Sequence, residues 1–373
     1  MVVVIGAGLI GLSIAYELAK RGADVRVIDA HEPAGAASWA GAGMLAPYTE
    51  ALDCAAFEAF CVRSLGLYPS FVEELREESG VDAHLRLDGI VEAAYSEADV
   101  ARLRASVAAL GARKVPAAWL SRGEARGLEP ALGPHLHGAA FVEGQGQVDN
   151  RRLGRALRAA CERRGVRIVA QAGGLAVEAD PRRILGIRTA QGFVAAETVV
   201  NAAGAWAGEV EGVPACARIP VRPVKGQMLA LALPRGLVQR VVWVPQAYLV
   251  PRIDGRLLVG ATVEESGFDV RVTAAGLNAL LNGALAAMPV LRDLAVSESW
   301  AGLRPGTPDG LPFLGATALQ GYLVASGHYR NGILLAPASA VAIADAVEGK
   351  PPLHGAEAFS PLRSKEPFPE VAK

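Results

Sequence analysis

The chain opens on an unbroken apolar run, Val2 to Ile5, which passes through glycines at 6, 8 and 11 into a segment whose Leu12, Ala15, Leu18 and Ala19 share one helical face. After Gly22 the alternating run ADVRVID ends at Asp29. The order is strand, helix, strand, and its two strands lie parallel because such a pair needs a crossover. A loop of small residues, EPAGAASWAGAGML, follows. Residues 53 to 79 predict a long helix ending near Gly80, residues 85–95 paired strands, and 97–110 a second helix.

Asp149 or Asn150 caps a predicted helix over 151–164, after which GVRIVA and ETVVNAAG read as strands. Between Arg218 and Leu303, strand-like runs alternate with turns: QMLALAL, RVVWV, AYLVPRI and RLLVGAT, the last two joined by the hairpin signal Asp254-Gly255. A last strand, GYLVASG, enters a helix over 331–348 that stops at Gly349 with prolines beyond. The pattern predicts an α/β chain. A Rossmann-like dinucleotide domain is built from 1–80, 145–214 and 300–373, and an inserted α+β substrate domain with a mostly antiparallel sheet from 81–144 and 215–299.

Composition narrows this only a little. The 373 residues are 51% hydrophobic and 20% charged with a formal charge of −1, which gives no global attraction to nucleic acid or an anionic membrane. No apolar run reaches the length of a membrane span, and none near Met1 reads as a signal peptide, so the expectation is a cytoplasmic protein. The four cysteines, at 54, 61, 161 and 216, are scattered without metal-site spacing. The arginine-rich segment from Arg151 turns Leu153, Ala156, Leu157, Ala160 and Cys161 inward and its charges to water, so it is no nucleic-acid face. His135 and His137, close in a Pro/Gly loop, read as solvent-exposed and not as metal ligands.

GAGLIG, Gly6 to Gly11, gives GxGxxG directly after a strand and opening a helix. Gly6 permits the tight turn, Gly8 and Ile10 bring backbone close to a pyrophosphate, and Gly11 lets the helix pack on the strand. Asp29, followed by Ala30, stands where a carboxylate accepts from an adenosine ribose. From these residues alone FAD and NAD are equally suited. In WAGLRPGTPDG, Arg304 is a permanent cation among apolar residues and turn formers, with no acid beside it until Asp309. Its partner is a distant protein acid or a ligand.

Five ordered motifs go further: ASWAGAGMLAP (37–47), VVNAAGAW (199–206), VKGQML (224–229), WAGLRPGTPDGLPFLG (300–315) and GHYRNGILLAPASA (327–340). Together they resemble the glycine oxidase branch of the D-amino-acid oxidase family, which is similar to sarcosine oxidases and uses FAD. The resemblance implies that Ala37, Ser38, Ala42, Gly43 and Met44 lie along the pyrophosphate and flavin. It implies that Ala203 and Gly204 pack on the dinucleotide and that Gly174 meets the adenine. The start of the last helix, His328, Tyr329, Arg330, Asn331, Gly332, Ile333 and Leu334, is expected against the flavin edge, where its amides stabilise reduced-flavin charge. With no cysteine after Cys216, FAD is expected to be non-covalent.

Arg304 then clamps a substrate carboxylate, Tyr248 adds its hydroxyl, Arg330 supplies a second cation, and Met44 and Gln246 wall the pocket. The implied reaction is oxidation of glycine or another small amino acid, with oxygen reduced to hydrogen peroxide, in the supply of the imino acid for thiamine thiazole, by a homo-oligomer. A D-amino-acid or sarcosine oxidase or dehydrogenase, and a flavin-binding subunit without turnover, stand as alternatives.

Overall fold

Val2–Ile5 forms an interior strand of a six-stranded sheet in the computed structural model, which describes residues 1–50, 54–351 and 356–363. Across that sheet the order is Phe313–Ala316, Tyr322–Ser326, Thr198–Asn201, Val2–Ile5, Val25–Ile28 and Arg167–Val169, all parallel except the first pair. A parallel sheet covered on its faces needs strands apolar on both sides, and all four residues of VVVI are buried. The crossover helix Leu9–Lys20 packs on the helices Asn150–Arg163 and Gly332–Val347, with Leu12, Ala15, Leu157 and Leu335 fully enclosed. A small three-stranded sheet, Ala176–Ala179, Ile184–Thr189 and Gly192–Ala195, is laid beside it.

The second sheet has eight strands, in the order Val296–Gly306, Arg222–Ala232, Arg256–Gly260, Ala247–Pro251, Val241–Val244, Ile90–Ala94, Gly138–Val142 and Ala117–Ser121. Its two faces have different duties. Leu229, Val259, Leu249, Val242 and Val91 are mutual partners across five strands, all fully buried, and they pack with Leu280 and Ala284 of the helix Ala274–Ala287. One residue along, the row Trp300, Met228, Gly260, Tyr248, Trp243 and Glu92 faces the other way, as the two-residue period of a strand requires. That second face looks toward the six-stranded sheet.

Several predicted elements differ. Residues 85–95 hold one strand, Ile90–Ala94, and not a pair, because its partners are the distant Gly138–Val142 and Val241–Val244; Arg86 makes only a bridge to Gln147. The small-residue loop contains a helical turn, Ala37–Ala40, and a short strand, Met44–Leu45. The long helix starts at Ala55, residue 53 lying outside the described residues, as does His354. The turn formers next to Arg304, Gly302, Pro305 and Gly306, belong to the eleven-residue strand Val296–Gly306, and only Pro308 to Gly310 turn. Pro305 is tolerated there because the strand is at the sheet edge and Pro305 faces Pro223. The Asp149 cap is seen, its carboxylate accepting from Arg152 N at 3.0 Å, and the inward face of that helix is buried. His135 and His137 are exposed, and among the described residues no helix is long and apolar enough to cross a membrane.

The helix Gly332–Val347 carries Pro337, which has no N–H to give the Ile333 carbonyl. Tyr68, from the long helix Ala55–Ser79, donates its hydroxyl to that carbonyl instead. Ser64, one turn earlier, donates to Leu334 O at 2.6 Å and accepts from Ala338 N at 3.2 Å, standing inside the helical ladder. Tyr68→Phe leaves the Ile333 carbonyl buried without a donor, and should cost about 1–3 kcal/mol of unfolding free energy. Urea denaturation measures this, and an unchanged midpoint would show that the carbonyl finds another partner.

Candidate active site

Between the two sheets runs a cavity of about 750 Å³, bounded at one end by the glycine turn and Asp29 and at the other by Arg304 and Tyr248. Gly6, at φ 100°, adopts the left-handed conformation that its side-chain-free backbone allows, and an added Cβ would stand 2.5 Å from Ala202 O. At Gly11 a Cβ would run into Gly6 O. Gly8 differs: its Cβ would meet only Ser38 Oγ, at 3.2 Å, so protein packing does not require a glycine there. The space above it belongs to the cavity. Asp29 accepts from Ala7 N at 2.5 Å and from His31 N at 2.8 Å, and Ser38 Oγ accepts from Leu9 N at 2.8 Å, so two side chains hold the turn into its helix.

The segment 37–44 forms the next wall, and its carbonyls are tied outward. Asn150 Nδ2 donates to Ser38 O and Trp39 O at 2.7 and 3.2 Å, Trp300 Nε1 to Ala40 O at 2.9 Å, and Val148 N to Gly43 O at 2.9 Å. Ala42 O takes Arg252 Nη2 at 2.9 Å. Arg252, 7% exposed, gives its other donors to Asn150 Oδ1 at 2.8 Å, Gln147 Oε1 at 2.6 Å and Val148 O at 3.0 Å. Every acceptor is an uncharged oxygen. Burial pulls this guanidinium down to about 10, and it stays charged at neutral pH. Arg252 lies four residues after Tyr248 in AYLVPRI, and only its fully buried surroundings, which no local pattern displays, mark it out.

At the far end Arg304 donates from Nη1 to Thr262 O at 3.1 Å and Lys225 O at 3.3 Å; among the described residues no carboxylate makes an ion pair with it. Its guanidinium lies flat on Gly226, where any Cβ would displace it. The Tyr248 ring lies on Gly260 in the same manner, an added Cβ standing 2.5 Å from it, and its hydroxyl faces Met228 Sδ at 3.8 Å. Two glycines in facing strands therefore make the shelf on which the cation and the phenol rest. Burial raises the Tyr248 pKa, which keeps its hydroxyl a donor. Met44, Gln246, Trp243 and Arg330 line the same end, the Trp243 Nε1 buried without an acceptor among the described residues.

Glu50 is also there, and sequence reasoning missed it. Its one local signal is isolation, being the single charged residue between Pro33 and Leu52. Burial pushes its carboxyl up to about 7 against the opposing pull of Arg330 and Arg304.

Of the remaining sequence-predicted residues, Ile10, Ala30, Ala37, Gly174, Ala203, Gly204, His328, Tyr329, Gly332 and Ile333 line the cavity. Gly11, Asn331 and Leu334 do not. Leu334 is core, and Gly11 serves the contact of helix with strand. His328 is buried, its Nε2 3.0 Å from Ser339 Oγ, and burial lowers its pKa to about 3. It is therefore neutral at physiological pH. The helix after it has no side-chain cap, which leaves its first-turn amides to whatever lies in the cavity.

A family model described as FAD dependent oxidoreductase matches residues 1–346. The chain is similar to Bifunctional protein ThiO/ThiG of Nostoc, 38% identical over 353 residues that make up 93% of this chain and 52% of that one. It is similar to Glycine oxidase of Pseudomonas aeruginosa, 34% identical over 362 residues, 96% of this chain and 98% of the other. A solved structure, glycine oxidase from Geobacillus kaustophilus, aligns with a TM-score of 0.93 at 36% identity and covers 97% of this chain and 98% of its own. The chain spans about half the length of the bifunctional relatives it matches.

Replacing Arg252 with Met strands four buried oxygens at about 1–3 kcal/mol each before relaxation, and should loosen the 37–44 wall. Equilibrium dialysis of FAD should then show weaker retention than in wild type, with Arg252→Lys intermediate; equal retention in all three would remove the residue from the site. For His328, the pKa falls from its ordinary 6.5 to about 3 on folding, so the unfolded chain takes up a proton that the folded chain refuses. Its contribution to stability is complete above about pH 6.5 and declines as pH drops toward 3, by up to about 1.4 kcal/mol per unit. Urea titrations at pH 7, 6, 5 and 4 should give a shallower decline in His328→Gln than in wild type. Parallel declines would contradict the assignment.

Proposed function

The chain belongs to the FAD-dependent oxidoreductase family, and on that premise we propose that it oxidises glycine or another small amino acid at Cα, yielding the imino acid and hydrogen peroxide. The observation that carries this reading is Arg304: a guanidinium with spare donors, free of any acid among the described residues, resting beside a tyrosine hydroxyl in the cavity that begins at GxGxxG. A planar fork of N–H donors suits a carboxylate, the group common to all amino-acid substrates. The identities to glycine oxidases support the same choice of substrate.

The residues suit FAD on a structural ground as well. Gly8 has no neighbour that forbids a side chain except Ser38, and so its glycine fits a pyrophosphate lying over the turn. Gly6, Gly8, Asp29 and the amides of 37–44 would hold the cofactor, with the start of Gly332–Val347 at its flavin edge. When bound, FAD supplies the acceptor that takes a hydride from Cα and passes the electrons to oxygen.

The protein's own part is alignment. Arg304 and the Tyr248 hydroxyl grip the carboxylate, which fixes the direction in which Cα points, and holding the reacting carbon in one orientation removes much of the entropic barrier. Met44 and Trp243 crowd the space beyond and keep the accepted side chain small. Neutral His328 adds no charge that would attract the substrate acid away from Arg304. In this reading the imino acid feeds thiazole formation, and the protein works in the cytoplasm as a homo-oligomer.

Under anaerobic conditions glycine should bleach the flavin band near 450 nm, a property of any flavin. No bleaching by glycine, sarcosine or D-alanine would leave a flavin-binding subunit without turnover. In Arg304→Leu, FAD should stay bound while the apparent KM for glycine rises by about 100-fold, the loss of a paired charged contact. Near-normal glycine kinetics in that variant would defeat the clamp.

A further inference from the structure

We propose that Glu50 sets the charge of substrate the cavity accepts, by offsetting one of its two guanidiniums so that small amino acids with one carboxylate are taken and those with two are turned away. This rests on the proposed amino-acid oxidation and names its substrate class more narrowly.

Three ionisable side chains whose charge is not cancelled by a close partner line the substrate end: Arg304, Arg330 and Glu50. Arg304 is held by two carbonyls, and Arg330 lies over the Tyr329 ring with its centre 5.2 Å away. Glu50 feels both guanidiniums without forming an ion pair with either among the described residues. A second acid at this end, Glu92, is already matched by Arg102 at 2.8 Å, and both line the cavity. Acids elsewhere in the lining, Asp29, Glu32, Glu209 and Glu211, belong to the opposite, nucleotide end with Gly174 and Trp206.

With Glu50 ionised, above about pH 7, the balance at the substrate end is therefore two positive charges and one negative, a net charge of +1. One bound carboxylate brings it to zero. A second carboxylate would enter partly buried space with no cation left to meet it, and unmatched charge in such space is costly. Neutralising Glu50 leaves a net charge of +2, which suits a dianion. The backbone holds Glu50 in register for this, its N–H donating to Ala46 O at 3.2 Å.

The test compares wild type, Glu50→Gln and Glu50→Asp holoenzymes at about pH 8, where the Glu50 carboxyl is ionised. Glycine and iminodiacetate present the same Cα–N bond with one and two carboxylates. The ratio of kcat/KM for iminodiacetate to that for glycine should rise by about tenfold or more in Glu50→Gln, equivalent to about 1.4 kcal/mol, and return toward wild type in Glu50→Asp. A second measurement needs no turnover: acetate and malonate are titrated against the oxidised flavin absorbance, and the malonate preference should rise in Glu50→Gln. In Glu50→Gln/Arg330→Gln, whose net charge is again +1, that preference should fall back, which a merely structural role of Glu50 would not produce. Glu50→Ala replaces the Gln variant if the latter does not retain FAD.

If wild type oxidises glycine yet neither ratio moves, the charge-balancing role is wrong and the proposed activity stands. If wild type oxidises no amino acid, the activity falls, and the acetate and malonate titrations still decide Glu50.

Discussion

A buried positive charge with no acid beside it must be surrounded by oxygen, or it will not stay folded. Arg252 meets that demand by drawing in Ala42 O, Gln147 Oε1, Val148 O and Asn150 Oδ1. Those four oxygens come from the 37–44 wall, from the short strand Gly146–Gln147 that pairs with Met44–Leu45, from Val148 just after it, and from the first residue of the helix Asn150–Arg163. The arginine itself belongs to the hairpin of the large sheet. One side chain thus ties the large sheet to the 37–44 wall and to the helix Asn150–Arg163. Because its donors are nearly all used, small shifts of the 37–44 segment break a charge-assisted bond, and the segment has little freedom.

Arg304 shows the same chemistry left incomplete. Arg304 is on the edge strand of the large sheet and Arg252 directly follows the strand Ala247–Pro251, and both bond carbonyls, yet Arg252 gives both Nη1 and Nη2 to the protein while Arg304 gives only Nη1. The difference comes from what lies under each group. Arg304 rests on Gly226, whose missing side chain lets the guanidinium lie against the strand with an open face toward the cavity. A folded chain that leaves donors of a permanent cation unfilled, on a shelf built of glycine, has kept capacity for an anion. Tyr248 on Gly260 repeats the device one strand pair away, and the repetition argues that the shelf, more than either side chain alone, is what the sheet face presents.

Much of this was legible locally. The apolar run, the glycine turn, the following helix and the acid at Asp29 are all determined by neighbours within about one crossover unit, so periodicity and spacing found them. Arg304 stood out because no acid was near it in sequence. Pairing across the large sheet was not legible: the strand Val296–Gly306 meets Arg222–Ala232 some seventy positions back, and its proline and glycines read as turn residues until its edge position is known. The helix Ala274–Ala287 is apolar with little contrast between faces, which hid its period. Arg252 and Glu50 were missed for a related reason. A charge declares its role through its surroundings, and theirs are assembled from segments 102 or more positions away for Arg252 and, for Glu50, from the distant Arg304 and Arg330.

The start of the helix Gly332–Val347 draws these strands together. Its Pro337 would normally weaken the first turns, but Tyr68 and Ser64 fill the gaps from a neighbouring helix, so the first turn is held by side chains that do not touch the cavity. The amides at its tip have no capping side chain, and the histidine before them is uncharged across the physiological range. The positive potential at that tip is therefore set by backbone geometry alone and does not vary with pH. Two kinds of positive charge then act on the cavity: fixed dipoles at the helix start, and the guanidiniums of Arg304 and Arg330 tempered by Glu50. Only the second kind can be tuned by a single side chain without disturbing the fold, which is why the selection of substrate charge belongs on the loop that carries Glu50 and not on the helix.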